Sequence, residues 1–322
     1  MTARTTATGT PRPARRSSRA RQEARAGWLL VAPTTAVVLA VVVLPFLAVL
    51  VLAFQDIKLV QLPRLTLTDL GLNPENILAL FRSEGFWTSL RTTVVLSLAT
   101  SVLSVALGAV TAVALRRPFR GRALVSALVL VPYVLPVVAS TQTWRSLLNT
   151  QYGFVNAVGT RLLGWDAPIA FLTTPDITVL GVEIPLALCS VILVLVWHTF
   201  PLAYLFVAAR LHAVPGTLEE AAVLDGAGPW QRIRYVILPE LTGVVSILLL
   251  LRFIWTFQTF NEVYLLTGGA AGTQVLAVRV YNELVVRSDI GSASGVGVAI
   301  TLILAVFITA YLVLQRRREA AS

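Results

Sequence analysis

Two stretches of this 322-residue sequence hold side chains spaced for chemistry. In the first, Arg252, Trp255, Thr256, Thr259 and Glu262 recur at i, i+3, i+4, i+7 and i+10. On one helix that spacing gathers them into a single polar and aromatic stripe on an otherwise aliphatic segment. The stripe can hydrogen-bond a polar molecule and cover its apolar C–H surface, which is the chemistry of holding rather than reacting. The plain alternatives are that Arg252 pairs with a carboxylate on another chain and that Trp255 only packs. In the second stretch, Leu211 to Glu240, the carboxylates Glu219, Glu220 and Asp225 form an acidic cluster in a region whose basic residues are all arginine. Carboxylates on a surface helix are ordinarily solvated and minor in energy. Here they are spaced to orient a partner of opposite charge. Catalysis has little to stand on, because HExxH, GxSxG and GxxxxGK[ST] patterns are absent and the histidines are two, His198 and His212. One cysteine, Cys189, excludes an internal disulfide and a cysteine-based metal site. No catalytic residue, metal ligand or cofactor is therefore expected, and energy for any work has to come from another chain.

The elements that must position these residues follow from composition. With 56% hydrophobic and 13% charged residues the chain is too apolar for a soluble domain of its length. Apolar runs near 28–54, 88–115, 123–144, 185–209, 241–265 and 294–314 each reach the ~20 residues that cross ~30 Å of hydrocarbon. The expectation is an all-α polytopic membrane protein with six transmembrane helices and both termini on one side. Arginines set the side: seven precede Trp28, four lie in Arg116–Arg122, three in Arg210–Glu240 and three follow Leu314. Such clustering marks cytoplasmic segments, so both termini are predicted inside, and the net charge of +10 needs no nucleic acid. Residues 1–27 read as a disordered basic tail near anionic membrane lipid, residues 28–315 as the membrane domain with a cytoplasmic loop at 211–240, and 316–322 as a second tail. Pro74 to Arg82 suggests a short outer helix, and Arg145 to Ile184 an ordered outer surface. Pro33, Pro45, Pro132, Pro136 and Pro201 fall inside spans, as hinges or as simple kinks. Gly291-Ser-Ala-Ser-Gly295 has the small-xxx-small form of close helix packing.

The loop predicts helix, turn and helix. Thr217 is placed as an N-cap with Glu220 completing a capping box. Ala221, Ala222 and Leu224 give a small smooth face, and Asp225-Gly226-Ala227-Gly228-Pro229 breaks the helix before a second one from Trp230 toward Val236. Compact, rigid and exposed, this is a docking element.

These residues also resemble a known family. Glu220-Ala-Ala222, three residues, Gly226, nine residues, Val236, one residue and Leu238-Pro239 resemble the coupling-loop signature of permease subunits of ATP-binding-cassette importers, which usually have isoleucine where Val236 stands. Leu265-Leu-Thr-Gly-Gly269, Asp289-Ile-Gly-Ser-Ala-Ser294, Leu130-Val-Pro-Tyr133 and Gly153-Phe-Val-Asn156 look like the carbohydrate branch, the maltose and glycerol-phosphate type. The resemblance implies the type I importer permease fold in a bacterial plasma membrane, import of a sugar or sugar-like solute, and an ATPase-coupling set of Glu219, Glu220, Ala221, Ala222, Asp225, Gly226 and Ala227. It also implies a solute path through Arg252, Trp255, Thr256 and Thr259, joined by His198 and Thr199. His198 could equally be a buried structural histidine. The implied partners are a second homologous permease, a dimer of ATP-binding subunits and an extracellular solute-binding protein. An importer of another small polar solute, or an ion-coupled secondary transporter, is the rival reading; the latter normally needs intramembrane carboxylates, for which Glu262 is the one candidate.

Overall fold

The computed structural model describes residues 27–28, 30–64, 73–179 and 181–319. The predicted disordered tail therefore lies, but for Gly27, outside the described residues. The chain divides into a unit ending at Val51 and one starting at Leu52. The first is carried by α1 (Leu30–Leu52), π-helical over Leu39–Val43, with apolar side chains facing outward as lipid requires.

In the second unit follow α2 (Glu75–Arg82), α3 (Glu84–Ala114), α4 (Arg122–Val134), α5 (Val137–Leu147) and α6 (Phe154–Leu162). A two-stranded antiparallel hairpin, β1 (Ile177–Val179) and β2 (Val182–Ile184), precedes α7 (Leu186–Ala213). Then come α8 (Gly216–Leu224), α9 (Pro229–Phe257), α10 (Asn261–Thr267), α11 (Leu276–Tyr281) and α12 (Ile290–Glu319). Five helices, α1, α3, α7, α9 and α12, are each long and apolar enough to span, and α4 with α5 makes a sixth only as a bent pair. The all-α expectation thus holds apart from the small outer hairpin.

Three spans differ from expectation. The predicted 123–144 span turns through 97° between α4 and α5. Pro136 has no N–H to give the Pro132 carbonyl, so the i→i−4 ladder stops there and the chain redirects. Pro201, by contrast, sits inside an unbroken α7. The fifth span starts a dozen residues earlier than 241, at Pro229, and ends at Phe257 rather than 265. A π-helical turn at Ile233–Ile237 lets the loop's second helix run on into the membrane instead of standing apart. Finally, α12 continues to Glu319, into the segment expected to be a tail.

The inward face of α3 is more polar than its outward face. Helix α3 buries Ser89, Thr93, Ser97, Thr100, Ser101 and Ser104 while exposing Val95, Leu98, Val102 and Leu103. Where the solvent is lipid, small hydroxyl residues pack helices closely and apolar ones face out. Ser101 donates to the Ser97 carbonyl at 2.6 Å, and the Thr93 hydroxyl accepts the Leu276 N–H at 2.8 Å, tying α3 to α11. At Gly108 a Cβ would stand 2.6 Å from the Tyr204 backbone nitrogen, so only glycine lets α3 approach α7 this closely. Gly291 likewise lies under the Gln55 carbonyl and Gly295 in contact range of Leu80, which bears out close packing for that motif.

The Lys58–Asp289 bridge and the Ile290 N–H to Ile57 carbonyl bond join the segment after α1 to the start of α12. Glu283, with its side chain 6% exposed, sits between Arg279 at 3.3 Å and Arg287 at 3.1 Å, and Arg279 reaches Ser83. Burial pulls the Arg279 pKa below its ordinary value while Glu283 opposes the shift. The described residues of the segment from Arg145 to Ile184 are ordered, as expected. Asn156 donates to the carbonyls of Asn149 and Ile169 and accepts the Ile169 N–H, stapling α6 to the loop after it.

Candidate functional site

The acidic loop forms the helix-turn-helix its sequence predicts, with one change of boundary. Helix α8 begins at Gly216, its N-cap is Pro215, and no side chain caps it; Thr217 lies inside the first turn, so the expected capping box is not made. Proline's fixed φ sets the entry from extended chain, and the helix starts before Thr217 can flank it. The other end follows the sequence closely. Gly226 takes φ +78°, its N–H donates to the Val223 carbonyl at 3.0 Å, and the Ala227 N–H donates to the Ala222 carbonyl at 2.9 Å. These two bonds make a Schellman stop, which needs a left-handed residue at its glycine. The Gly228 N–H then donates to Gln231 Oε1 at 2.7 Å and Pro229 opens α9.

No residue of α8 is buried. Glu220, Ala221, Asp225 and Gly226 are exposed, while Ala222 and Ala227 are half-covered. Glu219 differs from its neighbours, since both its oxygens accept from Arg116 at the end of α3, each at 2.8 Å. Arg210 at the end of α7 pairs with Glu240, which follows the π-helical turn of α9, and also donates to its carbonyl. Sequence reading missed Arg116, Arg210 and Glu240; arginines near a membrane face read as topology markers, and their partners lie 30 or 103 residues away.

The second set of residues converges at the membrane interior. Arg252, Thr256, His198 and Thr199 are all buried, whereas Trp255 is 51% exposed. The Arg252 guanidinium carbon lies 6.0 Å from the Trp255 ring centroid, within cation–π range. His198 and Arg252 both sit in the field of Glu262, and His198 lies against the Pro132 carbonyl that Pro136 leaves without a donor. The bend between α4 and α5 therefore feeds this centre with a free backbone acceptor. Three buried atoms here, His198 Nδ1, Arg252 Nε and Thr256 Oγ1, have no hydrogen-bond partner among the described residues. Unpaired buried polar atoms are costly, so a polar ligand or water has a reason to be there.

The stripe is not one helix. Helix α9 stops at Phe257, Thr259 lies in the break that follows and Glu262 in the first turn of α10, and Thr259 Oγ1 donates to Glu262 Oε2 at 2.7 Å. Neither glycine nor proline occurs at Gln258-Thr259-Phe260, so nothing in the sequence marks the break. Thr199 is spent within α7, donating to the Leu195 carbonyl at 2.6 Å. The structure thus brings His198, Arg252 and Thr256 together with Glu262, leaves Trp255 at their edge, and commits Thr199 and Thr259 elsewhere. An aromatic trio, Phe260, Tyr264 and Tyr281, with centroids 4.8 to 5.4 Å apart, adjoins α10 and was not anticipated.

Comparison with known proteins agrees over most of the chain. The family described as binding-protein-dependent transport system inner membrane component matches residues 104–320. The inner membrane ABC transporter permease protein YcjO of Escherichia coli is 32% identical over 292 residues, covering 90% of this chain and 92% of that protein. The trehalose/maltose transport system permease protein MalF of Thermococcus litoralis is 30% identical over 304 residues, covering 92% and 96%. Among solved structures, a chain of a bacterial ABC transporter involved in import of the acidic polysaccharide alginate superposes with a TM-score of 0.78 at 20% identity, covering 93% of this chain and 99% of that one.

Proposed function

The chain belongs to the family of binding-protein-dependent transport system inner membrane components, ATP-driven importer permeases, and from that premise we propose that the solute it passes is a sugar or a close sugar-like molecule. The observation that carries this reading is the buried centre. Beside a tryptophan face, a guanidinium, an imidazole and a hydroxyl each keep one buried atom, Arg252 Nε, His198 Nδ1 and Thr256 Oγ1, without a partner among the described residues. Sugars present that mixture in complement, hydroxyls around an apolar C–H face. The relatives named for trehalose and maltose transport support the same solute class.

The path lies between this subunit and a second permease, because Trp255 is half-exposed where Arg252 beside it is buried. Energy enters at α8, whose exposed Glu220, Ala221, Asp225 and Gly226, with half-covered Ala222 and Ala227, meet one of two ATP-binding subunits. ATP favours the closed ATPase pair; that differential stabilisation is what moves the helices, since a ligand without preference for either state shifts nothing. A solute-binding protein delivers from outside, over the surface built by α6 and the hairpin. The arginine distribution supports cytoplasmic placement of both termini and of α8.

The test is reconstitution of this chain with a second permease, the ATPase and the binding protein in liposomes, titrating sugars while ATP hydrolysis and uptake are followed. Stimulation and uptake by one sugar class, lost in Arg252→Ala and Trp255→Ala, are expected. Normal uptake by both variants removes the solute path, and stimulation only by a non-sugar solute moves the solute class.

A further inference from the structure

A helix with no buried residue has no core of its own to hold it against the spans. Among the described residues, the only side-chain hydrogen bonds made from α8 are the two from Arg116 to Glu219. The pair is bidentate, with both contacts at 2.8 Å, and well shielded, the two side chains being 20% and 27% exposed. Such paired contacts between two planar groups fix orientation as well as distance, which a single point contact does not. Arg116 follows directly on α3, the span that packs along α7 through Gly108 and holds α11 through Thr93. The Arg210–Glu240 pair closes the neck of the loop, joining the end of α7 to α9 just past its π-helical turn. One clamp therefore brackets the loop, and the other ties its helix to a span that is not adjacent in sequence.

We propose that the Arg116–Glu219 pair is the link through which displacement of α8 is passed to α3, Glu219 acting inside this chain as a positioning residue rather than as a contact to the ATPase. The inference rests on the importer reading above and narrows it. The exposed carboxylates Glu220 and Asp225 remain to face the partner, whereas Glu219 has both oxygens engaged. Without the pair, α8 still docks but its motion is lost in the turn at Val214–Pro215 and in the Schellman stop.

The experiment uses the full complex in liposomes with solute-loaded binding protein, counting solute moved per ATP hydrolysed and ATPase subunit retained on co-purification. Arg116→Ala and Glu219→Ala are each expected to lower the transport-to-hydrolysis ratio about tenfold with the ATPase retained, and the double variant to be no worse than either, as a shared interaction requires. Arg116→Lys keeps charge without the fork and is expected to fall between; it also serves if an alanine variant fails to insert. Losses that add in the double variant, or a wild-type ratio in the singles or in Arg116→Lys, overturn the link. Release of the ATPase by Glu219→Ala but not by Arg116→Ala overturns it in favour of direct docking. If wild-type complex shows no binding-protein-stimulated hydrolysis at all, the importer reading itself fails and takes this inference with it.

Discussion

The α8 loop and the buried polar centre are built on opposite terms. Around α8 the Schellman pair, the Gln231 cap and two arginine clamps leave a rigid body whose outward face is free, with Arg232 Nε the one buried side-chain atom of 211–240 that lacks a partner among the described residues. At the centre, burial is high and satisfaction is low, with His198, Arg252 and Thr256 each carrying an unpaired buried atom. A satisfied, exposed element is made to be pushed as a unit, whereas an unsatisfied, buried one is made to be completed by something that comes and goes. Changes at the first should therefore tell on the transmission of motion, and changes at the second on solute uptake.

The sharpest way to break that contrast is Arg252→Met. Hydrogen bonds to a charged group are worth ~1.5–3 kcal/mol, so uptake is expected to fall about 100-fold. Because no ion pair among the described residues offsets the buried charge, the thermal midpoint in detergent should hold or rise. A large fall in midpoint would mean that Arg252 is structural. Next comes the contact between the two regions. In Gly108→Val the new Cβ meets backbone of α7 at 2.6 Å, which cannot step aside as a side-chain tip can. Overpacking of this kind costs ~1–3 kcal/mol, lowering the midpoint measurably and uptake roughly tenfold. Smaller again is Gly226→Ala. No atom lies near the added methyl, so the penalty is the left-handed backbone alone, about 1 kcal/mol. Binding-protein-stimulated hydrolysis should drop roughly fivefold, with solute protection of the centre unchanged.

The fold was legible to different depths in different places. The six apolar runs, the short helix at Glu75–Arg82 and the stop at Gly226 follow from local composition and turn chemistry; the helix and the stop are where the sequence puts them, while the third run is bent and the fifth is shifted toward the N-terminus. The bend at Pro136 was readable as an interruption but not as a 97° turn, because neighbouring helices decide whether a proline kinks or breaks. The same physics left Pro201 harmless inside α7. The break after Phe257 carries no local signal at all, and it leaves Arg252 and Thr256 on α9 while Thr259 falls in the break, bonded to Glu262. The arginine clamps were invisible for a simpler reason: their partners are distant in sequence, and pairing across such distances is decided by packing.

The finest test sets two threonines against each other. Thr256 and Thr199 are both buried, on facing spans, and both were placed on the path. Thr256 Oγ1 has no partner, while the Thr199 hydroxyl donates to the Leu195 carbonyl of its own helix, an acceptor already served by the helix ladder. Replacing each by valine removes one hydroxyl with little change of shape. If an unpaired group at the centre waits for solute, Thr256→Val loses one neutral hydrogen bond, ~0.5–1.5 kcal/mol, and the apparent KM for uptake rises roughly two- to tenfold. Thr199→Val gives up a bond made only within α7 and should leave KM where it is. Equal responses from the two would show that the unsatisfied atoms do not distinguish the solute-facing side, and the contrast between a self-satisfied loop and a waiting centre would have to be abandoned.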